Sequence, residues 1–148
     1  MTIRALTVRQ PRASAIAHAD KRIENRTWTT PHRGAVLIHS AAKVDPAANR
    51  HAPMTAIVRG LQLDLGAVIA VARIVACHPD DGQCTPWSMP GHSHWQLDQV
   101  TALSLPVTAT GALQLWTPPE KVLETVRLQL DDATAAALAS DDEWAGLR

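Results

Sequence analysis

Lys21, Glu24 and Arg26 stand within the stretch Ala19-Asp20-Lys21-Arg22-Ile23-Glu24-Asn25-Arg26. They bring an ammonium, a carboxylate and a planar guanidinium fork into one short segment. Alternate residues of an extended chain share a face, so Glu24, Arg26 and Trp28 point together, with Ile23, Asn25 and Thr27 opposite. Lys21 falls where a helix gives way to that strand. Two cations, an acceptor and a ring surface suit a nucleobase with a nearby phosphate. The same pattern also fits an exposed strand face carrying a Glu–Arg surface pair, worth about 1 kcal/mol or less. Arg9, Arg12 and Arg33 add cations in the neighbourhood. His39 follows the apolar run AVLI, and His94 opens a strand before Trp95, so either ring could reach a common cleft. Trp28 and Trp87 are the expected stacking surfaces, at about 1–3 kcal/mol per base. Trp116, ending an alternating segment, is expected in the core.

An enzyme built from these residues would use Lys21, with Glu24, as its catalytic group. Lys21 could deprotonate Thr27, Thr29 or a water if burial and the charges of Arg22 and Arg26 lowered its basicity, whereas Glu24 would hold the proton on. No Gly-x-Ser-x-Gly elbow and no Gly-rich phosphate loop is present, which argues against serine-hydrolase, NTPase and dinucleotide-cofactor chemistry. Cys77, His78, Cys84, His92 and His94 are five possible metal ligands in a short span. Their spacing lacks the Cys-x2–4-Cys knuckle of structural zinc sites. Cys77 ends an apolar strand and reads as a core residue. The expectation is no metal and no cofactor.

Residues 2–8 read as a strand and 11–19 as a short helix, followed by the strand 22–28 and a central strand 35–40. Asp45 is a plausible cap for a helical stretch that Pro53 interrupts before Gly60. The longest strand is 67–78, apolar on both faces except at Arg73. A Pro/Gly-rich loop covers 79–93, and loops of that length in small domains tend to be functional. Further strands are expected at 94–97 and 105–116, with an edge or bulge at Pro106 and Gly111. A helix follows Pro118-Pro119, another is capped at Asp131-Asp132, and the acidic tail from Ser140 is expected to fray. Strands and helices do not alternate at regular length, which disfavours a doubly wound sheet. The expected fold is mainly β (α+β): a small, mostly antiparallel barrel of five to six strands with peripheral helices. The barrel domain would cover 1–117, with 118–148 a C-terminal helical extension.

The 148 residues carry zero formal net charge, 46% apolar residues, no Tyr or Phe, and five Trp. The balance is uneven: residues 1–60 hold ten Lys/Arg against three acids (+7), and residues 61–148 hold four against eleven (−7). A basic half suits a phosphate-bearing ligand; a solvated surface whose halves neutralise each other once folded is the alternative. Zero total charge disfavours tight nonspecific binding to long nucleic acid. No apolar run approaches the roughly 20 residues of a membrane span. The N-terminus lacks a signal pattern, and two cysteines make no disulfide scaffold, so a cytoplasmic protein without membrane association is expected. The acidic C-terminal region leaves room for an adaptor role.

The segments LTVRQPRASAIAHADKRIENRTW and RGAVLIHSA resemble the ASCH domain, named for activating signal cointegrator homology. Its hallmark is Gly-x-Lys-x-x-Glu-x-Arg, matched by Lys21, Glu24 and Arg26 with Ala19 replacing the glycine. GAVIAVARIVACH, PGHSHWQL and LPVTATGALQLW are similar to later blocks, extending the resemblance over residues 3–116. It implies a PUA-like β-barrel whose cleft, lined by those three residues, binds RNA or a nucleoside-like small molecule. It implies, as the alternative, a hydrolase using Lys21: an amidohydrolase on N-acylated cytidine-like nucleosides, or a ribonuclease. The amidohydrolase branch has Thr where this chain has Glu24 and uses a downstream Glu, whereas no Glu lies here between Glu24 and Glu120. Arg12 stands where many relatives carry Trp.

Overall fold

The computed structural model describes residues 2–47, 54, 59–61 and 63–146. Six strands form one mixed sheet that curls into a half-barrel: β1 (Arg4–Gln10), β2 (Ile23–Arg26), β3 (Gly34–Val44), β4 (Ala67–His78), β5 (Ser93–Thr108) and β6 (Leu115–Trp116). Their order is β2-β5-β4-β3-β1-β6. β1 and β3 run parallel and the other pairs antiparallel. Helices bounded among the described residues are α1 (Arg12–His18), α2 (Glu120–Leu128), α3 (Asp132–Leu138) and α4 (Asp141–Trp144). The mainly β, barrel-like architecture with peripheral helices agrees with the sequence. Among the described residues no helix is long and apolar enough to cross a membrane. The helical stretch expected between Asp45 and Gly60 lies largely outside the described residues; Asp45 itself accepts from Ala47 N at 3.0 Å.

The two-residue period of the strands explains why they are apolar on both faces. Ala5, Leu37 and Val71 point to one side, where they pack with Val122, Leu123, Val126, Leu138 and Trp144 of the C-terminal helices. Leu6, Val36, Ile38, Ala70 and Trp95 point to the other, against Ala13 and Ile16 of α1. Each Val, Leu or Ile among them contributes about 1.5–3 kcal/mol by leaving water. Arg73, the lone charge of β4, donates to Leu138 O at 2.6 Å and ties α3 to the sheet.

Three readings need correction. First, the segments 94–97 and 105–116 are not separate long strands: β5 runs unbroken from Ser93 to Thr108, and β6 is only Leu115–Trp116. Pro106 is tolerated because β2 pairs only with Ser93–Gln96 of β5, so among the described residues no strand pairs with that edge at Pro106; the neighbouring Leu105 bonds the Gln129 side chain instead. Second, of the edge or bulge expected at Pro106 and Gly111, Pro106 takes the edge, whereas three register shifts between β4 and β5 and a positive φ at Gln99 bend the long pair. Third, the tail does not fray at Ser140. Ser140 and Glu143 form a capping box, and Trp144 is buried with its Nε1 donating to Ala135 O at 2.9 Å.

Candidate functional site

β2 is the edge strand that carries the charged motif, and α1 ends just before it. Lys21 and Glu24 are only 2% and 3% exposed. Burying either alone would be costly, so their partners decide the geometry. Lys21 Nζ donates to Ile23 O and lies 3.1 Å from Glu24 Oε1. On the other side of the carboxylate, Arg26 Nε donates to Glu24 Oε2 at 2.9 Å and its Nη2 lies 2.8 Å from the same oxygen. Nη2 also donates to Thr7 O at 2.8 Å, fastening β2 to β1. The result is a linear triad, ammonium–carboxylate–guanidinium.

Burial alone would push the Glu24 carboxyl up, but Lys21 and Arg26 outweigh it and bring it from 4.5 down to about 2. Burial pulls Lys21 below its usual basicity; Glu24 opposes this, and the cations of Arg12 and Arg26 assist it. The assisting neighbours are thus Arg12 and Arg26. Arg22 faces elsewhere, donating to the carbonyls of Ile16, Ala19 and Lys21. Thr27 and Thr29 are both exposed.

A cavity of about 330 Å³ opens over the Glu24–Arg26 end of the triad, lined by Arg9, Arg12, Glu24 and Arg26 together with Thr7 and His92. Ala112, Leu113 and Gln114 form its rim. Its size falls in the ordinary range for small-molecule sites. A smaller, mostly apolar cavity of about 130 Å³ adjoins it, lined by Lys21, Met54 and Trp87. Arg12, Asn25 and Met89 line both cavities and so form the ridge between them. Arg12 is held by an ion pair to Asp45.

Lys21, Glu24, Arg26, Arg9, Arg12 and Trp87 therefore meet in one bipartite cleft. Four other expected residues lie outside its walls. Trp28 packs edge-on against Trp95 at 4.6 Å, and its carbonyl accepts from Trp95 Nε1, so its ring belongs to the core side. Arg33 donates to the carbonyls of Thr30 and His32. His94 is fully buried, donating from Nε2 to Met89 O at 2.9 Å. His39 is buried, and burial lowers its basicity. Its Nε2–H donates to Ala109 O at 2.7 Å, which leaves Nδ1 to accept from the Thr7 hydroxyl at 3.2 Å. That hydroxyl in turn accepts from Trp116 Nε1 at 3.1 Å.

This chain of bonds explains Gly111. A Cβ there would lie 2.7 Å from Thr7 Oγ1 and 2.8 Å from His39 Cε1. Gly111→Ala is expected to cost about 1–3 kcal/mol, as overpacking does, read as a lower urea midpoint with an unchanged slope. An unchanged midpoint would contradict the tight contact.

Asn25 escaped the sequence reading because strand alternation puts it opposite Glu24. Its Nδ2 donates to Trp87 O and its Oδ1 accepts from Met89 N, both at 2.9 Å, so it clamps the 79–92 loop over the cleft. Thr7 and Met89 were missed as well, Thr7 for want of any motif and Met89 because a lone loop methionine carries no signal. Of the five possible metal ligands, His78, Cys84 and His94 bring one donor atom each within 4.8 Å of one another. Cys77 packs against the core, and His92 lines the main cavity.

A half-barrel carrying a cationic, carboxylate-braced cleft defines a small, barrel-like β domain. The ASCH domain family model matches residues 6–107, and the chain belongs to that family. A stretch of 38 residues is 50% identical to Activating signal cointegrator 1 of Homo sapiens, a protein that carries an ASCH domain. The stretch is 26% of this chain and 6% of that protein. The family is linked to RNA binding within the PUA-like superfamily.

Proposed function

We propose that the cleft binds a single-stranded RNA segment or a nucleoside-like small molecule. The observation that carries this reading is the clustering of Arg9, Arg12, Arg26 and the buried Glu24 around one cavity, beside a second cavity lined by Lys21. The guanidiniums take phosphate or base acceptors, while Glu24, held ionised, accepts from a base amino group. The apolar neighbour lined by Trp87 and Met89 takes the flat base. Residues 1–117 make up the binding domain and 118–148 an extension; that the extension packs on the domain is supported by Val122, Val126 and Trp144 clustering with Ile3 and Leu37.

Binding of a fluorescent short RNA at several salt concentrations tests this reading. Three cations at about 0.7 each give an expected slope of log K against log salt of about −2. Arg9→Gln should make it shallower by about 0.7. No binding by RNA or by nucleoside monophosphates would overturn the proposal. A salt-independent affinity for the nucleotide alone would place a small molecule in the cleft.

A hydrolytic role is the second reading, supported by the lowered basicity of Lys21 and its place on the smaller cavity wall. It predicts hydrolysis of N-acylated cytidines or short RNAs that disappears in folded Lys21→Met. Absence of turnover on both panels would remove this reading and leave binding.

A further inference from the structure

We propose that His78, Cys84 and His94 form a binding site for a zinc-type divalent cation. The site joins the end of β4 and the start of β5 to the intervening loop. His78 and His94 stand directly opposite each other on the two strands, with rings 5.2 Å apart. Cys84 approaches from the loop, its Sγ 3.7 Å from His94 Nδ1. Zinc bonded at about 2.3 Å to sulfur and 2.0–2.1 Å to nitrogen in a tetrahedron needs a sulfur–nitrogen separation of about 3.6 Å. All three donors already lie within 4.8 Å.

The tautomers fit as well. His94 Nε2–H donates to Met89 O, so the lone pair is on Nδ1, the atom that faces Cys84. His78 Nδ1–H donates to Pro79 O at 2.8 Å, with Asp81 Oδ1 at 3.3 Å, so its lone pair is on Nε2. Metal-ligating histidines are oriented in this manner, each giving its other ring N–H to a carbonyl or carboxylate. Ser88 Oγ lies 2.9 Å from Cys84 Sγ and already accepts from Thr85 N at 3.1 Å, so its proton is free for the sulfur. On binding, the metal–sulfur bond replaces the S–H bond, and the thiol proton leaves to solvent.

Two imidazoles and one thiolate suit zinc among the common divalent ions. Three protein donors leave the fourth position for water or a ligand atom. His94 also lines a cavity of about 380 Å³ with Asp80, Ser88 and Met89. Because the same loop carries Trp87 and Met89 to the cleft, the ion would hold that cleft wall against the sheet.

Titrating the tag-free chain with Co²⁺ tests the site. The expected result is saturation at one equivalent, with a thiolate-to-cobalt charge-transfer band that Zn²⁺ abolishes. The band should vanish in Cys84→Ser, persist in Cys77→Ser, and require more than about tenfold higher metal in His78→Gln. No charge-transfer band in the wild-type chain, or a band that survives Cys84→Ser, would overturn the proposal. So would loss of the band in Cys77→Ser alone.

Discussion

Glu24→Gln is expected to destabilise the protein by about 3–5 kcal/mol, the usual consequence of leaving a buried charge without its counter-ion. The amide keeps the shape of the carboxylate but cannot neutralise the Lys21 ammonium, which is almost wholly buried. It also turns one of the two acceptor oxygens into an NH2 donor, so Lys21 and Arg26 can no longer both be met, and the loss falls in part on the attachment of β2 to β1. Lys21→Met should be costly for the reciprocal reason, although Arg26 still partners Glu24 in that variant. The two losses are not independent. Lys21→Met/Glu24→Gln removes both buried charges of the inner pair, so it should fall short of the summed single losses by about 1–3 kcal/mol. Urea unfolding at constant slope reads all four corners of the cycle. Additive losses would mean that the ammonium and the carboxylate do not interact.

Stability should fall steeply in acid, and Glu24 should be a major cause. Its folded value of about 2 lies below the ordinary 4.5, so the unfolded chain binds more protons between those pH values. The contribution is therefore fully present above about pH 4.5 and is lost as pH falls through the folded value. A shift of that size corresponds to about 3 kcal/mol. Asp80, Asp131 and Glu143 are also held below their usual range, each accepting from backbone N–H groups, so the wild-type profile alone does not isolate the triad. The difference between wild type and Glu24→Gln does. Urea midpoints at pH 6 and pH 3 should converge for the two proteins as acid removes what the mutation had already removed. Parallel profiles would place the acid sensitivity elsewhere. On the alkaline side, Lys21 is lowered, so stability should rise with pH between its folded value and 10.5.

The sequence carried the floor of the cleft because strand alternation fixes which residues share a face. Glu24 and Arg26 do line one cavity, and the helix-to-strand junction puts Lys21 beside them. β4 was legible to the residue, Ala67–His78, because it is long, β-branched and bounded by Gly66 and Pro79. What escaped was set by tertiary contact. Asn25 faces away from Glu24 by period, yet β2 is an edge strand, and the 79–92 loop folds across it. Trp28 obeys the period, but Trp95 claims its ring for the core. His39 was sited correctly on its strand; nothing in the sequence indicated that Thr7 and Ala109 would occupy both its nitrogens. Cys84 lacks knuckle spacing because its partners come from two paired strands rather than from one turn.

The central claim is that the ligand enters the cleft above the Lys21–Glu24–Arg26 triad. Amide chemical-shift mapping by NMR, with the labelled chain titrated with a short single-stranded RNA and separately with cytidine monophosphate, tests it most directly. Saturable shifts should concentrate at Thr7, Arg9, Arg12, Asn25, Arg26, Met89 and Ala112, and weaken sharply in Arg26→Met. Shifts centred on the C-terminal helices, over Val122 to Trp144, or no saturable shift with either ligand, would contradict it.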